Sequence, residues 1–181
     1  MMRTVLGDIK EDAFGITLPH EHICCFSEYA YQMAGSDYLD KNALARKATV
    51  YLKELKKKYG LATVVDCTPV NLGRDVELLK RVSEQSEIHI VCATGFYYTE
   101  EPVLYNTTAD HLCRYIVSDA QSTNAGIIKC AVENEEASGF QKSSCVLARR
   151  RIYTQPFPSY FMPTPIIVMR KRLLKYCFRR G

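Results

Sequence analysis

Beyond Glu136 the chain has no aspartate, no glutamate and no histidine, and it has only four histidines in all. Residues 1–140 carry 14 Lys and Arg against 20 Asp and Glu, whereas residues 141–181 carry 10 basic side chains and no acid. The mild net charge of +4 conceals that division. Any site built from carboxylates or imidazoles must therefore draw on the first 136 residues. No Cys-x-x-Cys pair occurs among the eight cysteines, which excludes the commonest redox and zinc-ribbon spacings. No stretch reaches the roughly 20 apolar residues of a spanning helix. The segment 160–169 is short and broken by Pro163 and Pro165. The N-terminus lacks an apolar leader core and soon meets Glu11 and Asp12.

What is present is the composition of a globular protein, 47% hydrophobic and 24% charged. Cys67, Cys92 and Cys130 lie in apolar runs where a thiol behaves as a small hydrophobe. Reduced thiols in a cytoplasmic protein with no membrane partner are the expectation. Taken in order, the chain alternates between short apolar runs and amphipathic stretches. Phe14 to Leu18 reads as a buried strand leading to His20. Asp40 can cap a helix with Leu44, Ala48, Tyr51, Leu52, Leu55 and Tyr59 as its apolar positions, stopped by Gly60. Strands follow at 62–68, 88–96 and 126–131, separated by helices at 75–86 and 108–120, the latter with Leu112, Tyr115 and Ile116 inward. Continuously apolar strands alternating with helices imply about four βα units on a parallel sheet. Lys56, Lys57 and Lys58 crowd a helix end, where positive charge suits the dipole.

Two features stand out from that rhythm. His20 and His22 are two apart in an extended segment, so both imidazoles point to one face and Glu21 to the other. That geometry suits a metal clamp, and equally two histidines satisfied by hydrogen bonds. Lys129 sits in an otherwise apolar strand, where an unpaired ammonium costs several kcal/mol. Snorkelling out from the strand end, or pairing with Asp66 or Glu133, would satisfy it. Alternatively, a desolvated lysine loses its proton and reacts with carbon dioxide, becoming an anionic carbamate ligand.

Four segments, Gly15–His22, Val64–Asp75, Cys92–Tyr97 and Ala125–Lys129, in this order and spacing, resemble the N-terminal half of phosphotriesterase-related proteins of the amidohydrolase superfamily. The resemblance implies an α/β fold, a partial (β/α)8 TIM barrel, over residues 1–137. It implies two divalent metals, usually zinc, at the C-terminal mouth. By that resemblance His20, His22 and Lys129 are metal ligands and Lys129, as a carbamate, takes part in catalysis. A metal-activated hydroxide would attack a phosphoester, ester or lactone bond of a small molecule, with Tyr97 contacting the substrate.

The departure from the family pattern is equally specific. Such proteins draw two further histidines and an aspartate from their second half, and residues 138–181 offer none. His89 opens its strand at the far end of the sheet, and His111 reads as helical. Two imidazoles and one carbamate make one open four-coordinate zinc site, and this chain is expected to hold at most one metal well. Residues 138–181 are expected to form a divergent, irregular basic tail. Despite its interleaved Tyr and Phe it matches no nucleic-acid-binding module, so no nucleic-acid partner is expected. A half-barrel has open edges, so self-association is expected. The alternative to an active hydrolase is a truncated, catalytically inactive metal-binding fragment of the fold.

Overall fold

A computed structural model of the chain describes residues 1–98, 101–104 and 107–131. The expected boundary at residue 137, Glu133 and the basic tail fall outside those residues. A short antiparallel hairpin comes first, β1 (Met2–Thr4) with β2 (Gly7–Ile9). Among the described residues the main sheet has four parallel strands in sequence order, β3 (Ile16–Glu21), β4 (Leu61–Asp66), β5 (His89–Phe96) and β6 (Ile127–Cys130). Parallel neighbours cannot be joined by a tight turn, so helices carry the chain back. Helices α1 (Glu28–Ala34) and α2 (Lys41–Tyr59) link β3 to β4, while α3 (Val76–Ser86) and α4 (Ala109–Thr123) link the following pairs. The sheet curls into an α/β half-barrel, as expected.

Local chemistry sets the helix ends. Asp40 Oδ1 accepts the N–H groups of Asn42 and Ala43 at 2.9 Å, and Gly60, at φ +71°, closes α2 in the left-handed conformation. Asp75 caps α3 through Leu78 N–H, and Thr108 caps α4 through His111 N–H. These caps satisfy backbone donors that a helix start leaves orphaned.

Strand periodicity divides the core in two. Val64, Ile90 and Cys92 face outward and pack beneath Leu52, Leu79 and Val82 of the helices. Val65, Val91, Ala93 and Ile127 face the concave side, where Met2 and Phe14 close over them. Val5, in the hairpin turn, is buried and donates its N–H to Ile90 O at 2.8 Å. The hairpin thus packs against the sheet, a role that its three-residue strands do not reveal by pattern.

Three expectations are corrected. The first main strand is not buried, since β3 is largely exposed and Ile16 is 59% accessible. Among the described residues it pairs only with β4 and its other edge carries no strand. On α2, Tyr51 and Tyr59 face solvent, and Ala45 and Thr49 take buried positions with Leu52. Amphipathic tyrosine tolerates either face, whereas small Ala45 and Thr49 fit the close approach to α3. Tyr115 of α4 is likewise exposed, beside buried Leu112 and Ile116.

Gly95 lies opposite Lys129 in the β5–β6 register, at φ +100°, and a Cβ there would collide with the Lys129 carbonyl oxygen. Gly95→Ala should therefore lower stability by roughly 2–4 kcal/mol. Gly7→Ala, at φ +118° with nothing within 4 Å, should cost only the backbone strain, about 1 kcal/mol. Urea unfolding midpoints compare the two, and equal losses would contradict this packing.

Candidate metal centre

The C-terminal end of β3 is re-aimed by an irregularity. Leu18 pairs with Val64 and Glu21 with Asp66, so three steps on β3 match two on β4. One extra residue in a strand reverses the faces that follow it. Leu18 packs on the helix side with Val64, and after the bulge it is Glu21, not His20, that stands opposite Asp66. His20 and His22 are thereby turned toward the concave side. Pro19 sits in this bulge on an edge strand, where its missing N–H does no harm.

Lys129 reaches the same region from β6. It is 5% exposed, and its Nζ lies 3.3 Å from His20 Nε2. Strands β3 and β6 are separated by two others, which in a flat sheet would set them about 14 Å apart. Curvature brings the side chains together across the concave face. Asp66 is engaged elsewhere: both its carboxylate oxygens accept backbone N–H groups, Oδ2 from Ile23 at 2.7 Å and Oδ1 from Thr68 at 3.0 Å. Glu133 is outside the described residues.

The second imidazole stands beside the first, with ring centroids 5.3 Å apart at 61°. Its Nδ1 lies 2.9 Å from Thr68 Oγ1. Burial, and then the Lys129 charge, hold the pKa values of both histidines below their ordinary value. Both rings are therefore neutral at neutral pH, with a lone pair each for a donor or a cation. Neighbouring Cys67 is pushed up to about 11 by burial, so its sulfur stays protonated.

Among the described residues no three His, Cys, Asp or Glu side chains gather in a way that could hold a metal ion. What gathers is two imidazoles and one amine. The donor set fits a cation in one respect: an ammonium already occupies the place beside His20 Nε2. It fits a divalent ion only once that ammonium has lost its charge, since two positive groups at this spacing repel. His89 begins β5 at the opposite end of the sheet, and His111 lies in the first turn of α4, hydrogen-bonded to Thr108. Neither joins the group.

Tyr97 follows β5 directly. Its N–H donates to Asn71 Oδ1 at 2.7 Å and its ring lies 4.3 Å from that of Tyr98. It lines a mostly apolar cavity of about 880 Å³ together with Cys25, Tyr29, Phe96 and Leu104. Cys25 connects the two regions, since its Sγ lies 3.8 Å from Thr68 Oγ1. Sequence reasoning did not find Thr68 as a neighbour of His22 or Asn71 as the anchor of Tyr97. Their signal was present, as polar residues just past the C-terminal end of an apolar strand.

The Phosphotriesterase family profile matches residues 1–143. A phosphotriesterase homology protein of Mycobacterium tuberculosis is 31% identical over 147 residues, 73% of this chain and 45% of its own length. An aryldialkylphosphatase of Saccharolobus solfataricus is 29% identical, covering 69% of this chain and 42% of its own length. The human N-acetyltaurine hydrolase is 27% identical, covering 74% and 46% respectively. The chain spans about half the length of the curated relatives it matches.

Unfolded histidines titrate near pH 6.5, above the depressed values of His20 and His22 in the fold. As pH falls below about 6.5 the unfolded state takes up protons first, so their contribution to stability is complete above that pH and is lost below it. Thermal melts between about pH 7.5 and 5 should show the decline, with a shallower slope in the His20→Gln, His22→Gln double variant. An unchanged slope in that variant would contradict the burial of the pair.

Proposed function

Since the chain belongs to the phosphotriesterase family, we propose that it is a zinc-dependent hydrolase of ester, phosphoester or lactone bonds in small molecules, with its site at His20, His22 and Lys129. The observation that carries this reading is the 3.3 Å approach of Lys129 Nζ to His20 Nε2 across the concave face of the sheet. A buried amine held against two imidazoles of depressed pKa is the kind of cluster that marks a functional site.

His20 and His22 would hold the ion through neutral ring nitrogens. Lys129 joins them after its amine, freed of the extra proton, forms an N–C bond to carbon dioxide and releases a second proton, leaving a carbamate with two oxygens. That change removes the positive charge and supplies a carboxylate-like ligand. A bound divalent ion supplies Lewis-acid polarisation and a water of lowered pKa. Tyr97 and the apolar cavity it lines would receive the organic part of the substrate, excluding water from it. The β3 edge, which carries no second strand among the described residues, supports self-association.

The second reading, metal binding without turnover, is favoured by the absence, among the described residues, of three His, Cys, Asp or Glu side chains that could hold a metal and by the remoteness of His89 and His111. One experiment separates the two. The full chain is supplied with zinc and bicarbonate, sized by chromatography, and assayed for bound metal and for turnover of paraoxon, an aryl lactone and N-acetyltaurine. The hydrolase reading expects an oligomer, about one well-held zinc per chain and turnover that Lys129→Ala abolishes. Bound zinc without turnover of any of the three substrates would overturn it in favour of the second reading, and a clean monomer would contradict self-association.

A further inference from the structure

Consecutive residues at the end of β4, Asp66, Cys67 and Thr68, hold His22 from both sides and by its ring. The Cys67 N–H donates to the carbonyl of Glu21, just before it, at 2.8 Å. The N–H of Ile23, just after it, donates to Asp66 Oδ2 at 2.7 Å. The ring itself meets the Thr68 hydroxyl, with Nδ1 and Oγ1 2.9 Å apart. Asp66 Oδ1 in turn accepts the Thr68 N–H at 3.0 Å. One carboxylate therefore fixes both the backbone behind His22 and the residue that touches its imidazole.

A parallel ladder continued for one more step would send the Ile23 N–H to the Cys67 carbonyl. It goes to the Asp66 side chain instead, and β3 ends at Glu21. The chain is thus diverted out of the sheet at the residue that bears the imidazole. Asp66 is 0% exposed, and burying a carboxylate costs free energy that an apolar side chain in the same place would not. What the carboxylate adds is two acceptors at a fixed separation, one for each N–H. We propose that Asp66 is a positioning residue of the metal centre: by fixing Ile23 and Thr68 it sets where the His22 imidazole stands and keeps it there before any ion binds. Loss of such an outer contact typically costs about 10–100-fold in metal affinity. The consequence for metal binding rests on the hydrolase reading of this site, whereas the hold on the ring does not.

The test compares the full chain, metal-free and ¹³C-labelled at histidine, with Asp66→Asn, in which an amide NH₂ replaces one acceptor oxygen and leaves one backbone donor without its partner. His22→Gln assigns the resonance. Ring relaxation should show the His22 imidazole ordered in wild type and mobile in Asp66→Asn, and zinc affinity should fall about 10–100-fold in the variant. Asp40→Ala removes the α2 cap and leaves these bonds intact, so its melting temperature should fall while ring order and zinc affinity stay at the wild-type level. Thr68→Val keeps both backbone bonds and loses only the contact to the ring, so it should also free the imidazole, and it decides the question if Asp66→Asn does not fold. A His22 ring already mobile in wild type overturns the proposal, as does one that stays ordered in the folded variants. A fall in the melting temperature of Asp66→Asn with zinc affinity unchanged also overturns it, leaving Asp66 a structural residue. A wild-type chain that binds no zinc would sink the hydrolase reading, yet ring order in the metal-free chain would still decide for or against the hold on His22.

Discussion

The approach of Lys129 to His20 is the constraint on which the rest depends, because it joins the last strand of the sheet to the first. Their nitrogens are 3.3 Å apart although two strands intervene. Only a curled sheet permits that, and the curl requires an inner face of modest side chains, which Val65, Val91, Ala93 and Ile127 provide. Gly95 contributes by having no side chain where β5 passes Lys129. Curvature and chemistry are therefore the same feature seen at two scales.

Polar groups at the C-terminal rim are largely paired, although Arg74 Nε is buried without a hydrogen-bond partner among the described residues. Asp66 is fully buried, and burial raises its pKa, but N–H groups from Ile23 and Thr68 and the charge of Arg74 oppose that shift. Arg74 is itself held, donating to both oxygens of Asp119 at 2.6 and 2.8 Å and to Ala93 O at 2.6 Å. This bidentate pair locks the turn after β4 to α4, behind the strand ends that carry the site. The rim is consequently a rigid frame, and rigidity is what a ligand set needs if its geometry is to survive without the ligand.

Much of this was legible in the sequence, for reasons that can be named. The α2 helix could be bounded because Asp40 and Gly60 are strong end signals, and β5 because its apolar run is long and unbroken. The concern over Lys129 came from a charge in an apolar strand, and the structure answers it with His20 and not with Asp66. The bulge at Pro19 was not legible, since an inserted residue leaves the local pattern intact and only changes the partner register. Nor was the exposure of β3, because an edge strand and a central one can carry the same apolar residues when their neighbours are unknown. Thr68 escaped because a hydroxyl gains its role from a ring 46 residues away.

Anomalous diffraction at the zinc edge, from crystals of the full chain grown with zinc and bicarbonate, tests the central claim most directly. The account predicts one peak about 2.0–2.1 Å from ring nitrogens of both His20 and His22, with a carbamate on Lys129 oriented toward it. Zinc bound elsewhere, or a Lys129 amine unmodified and turned away from both rings, would contradict it.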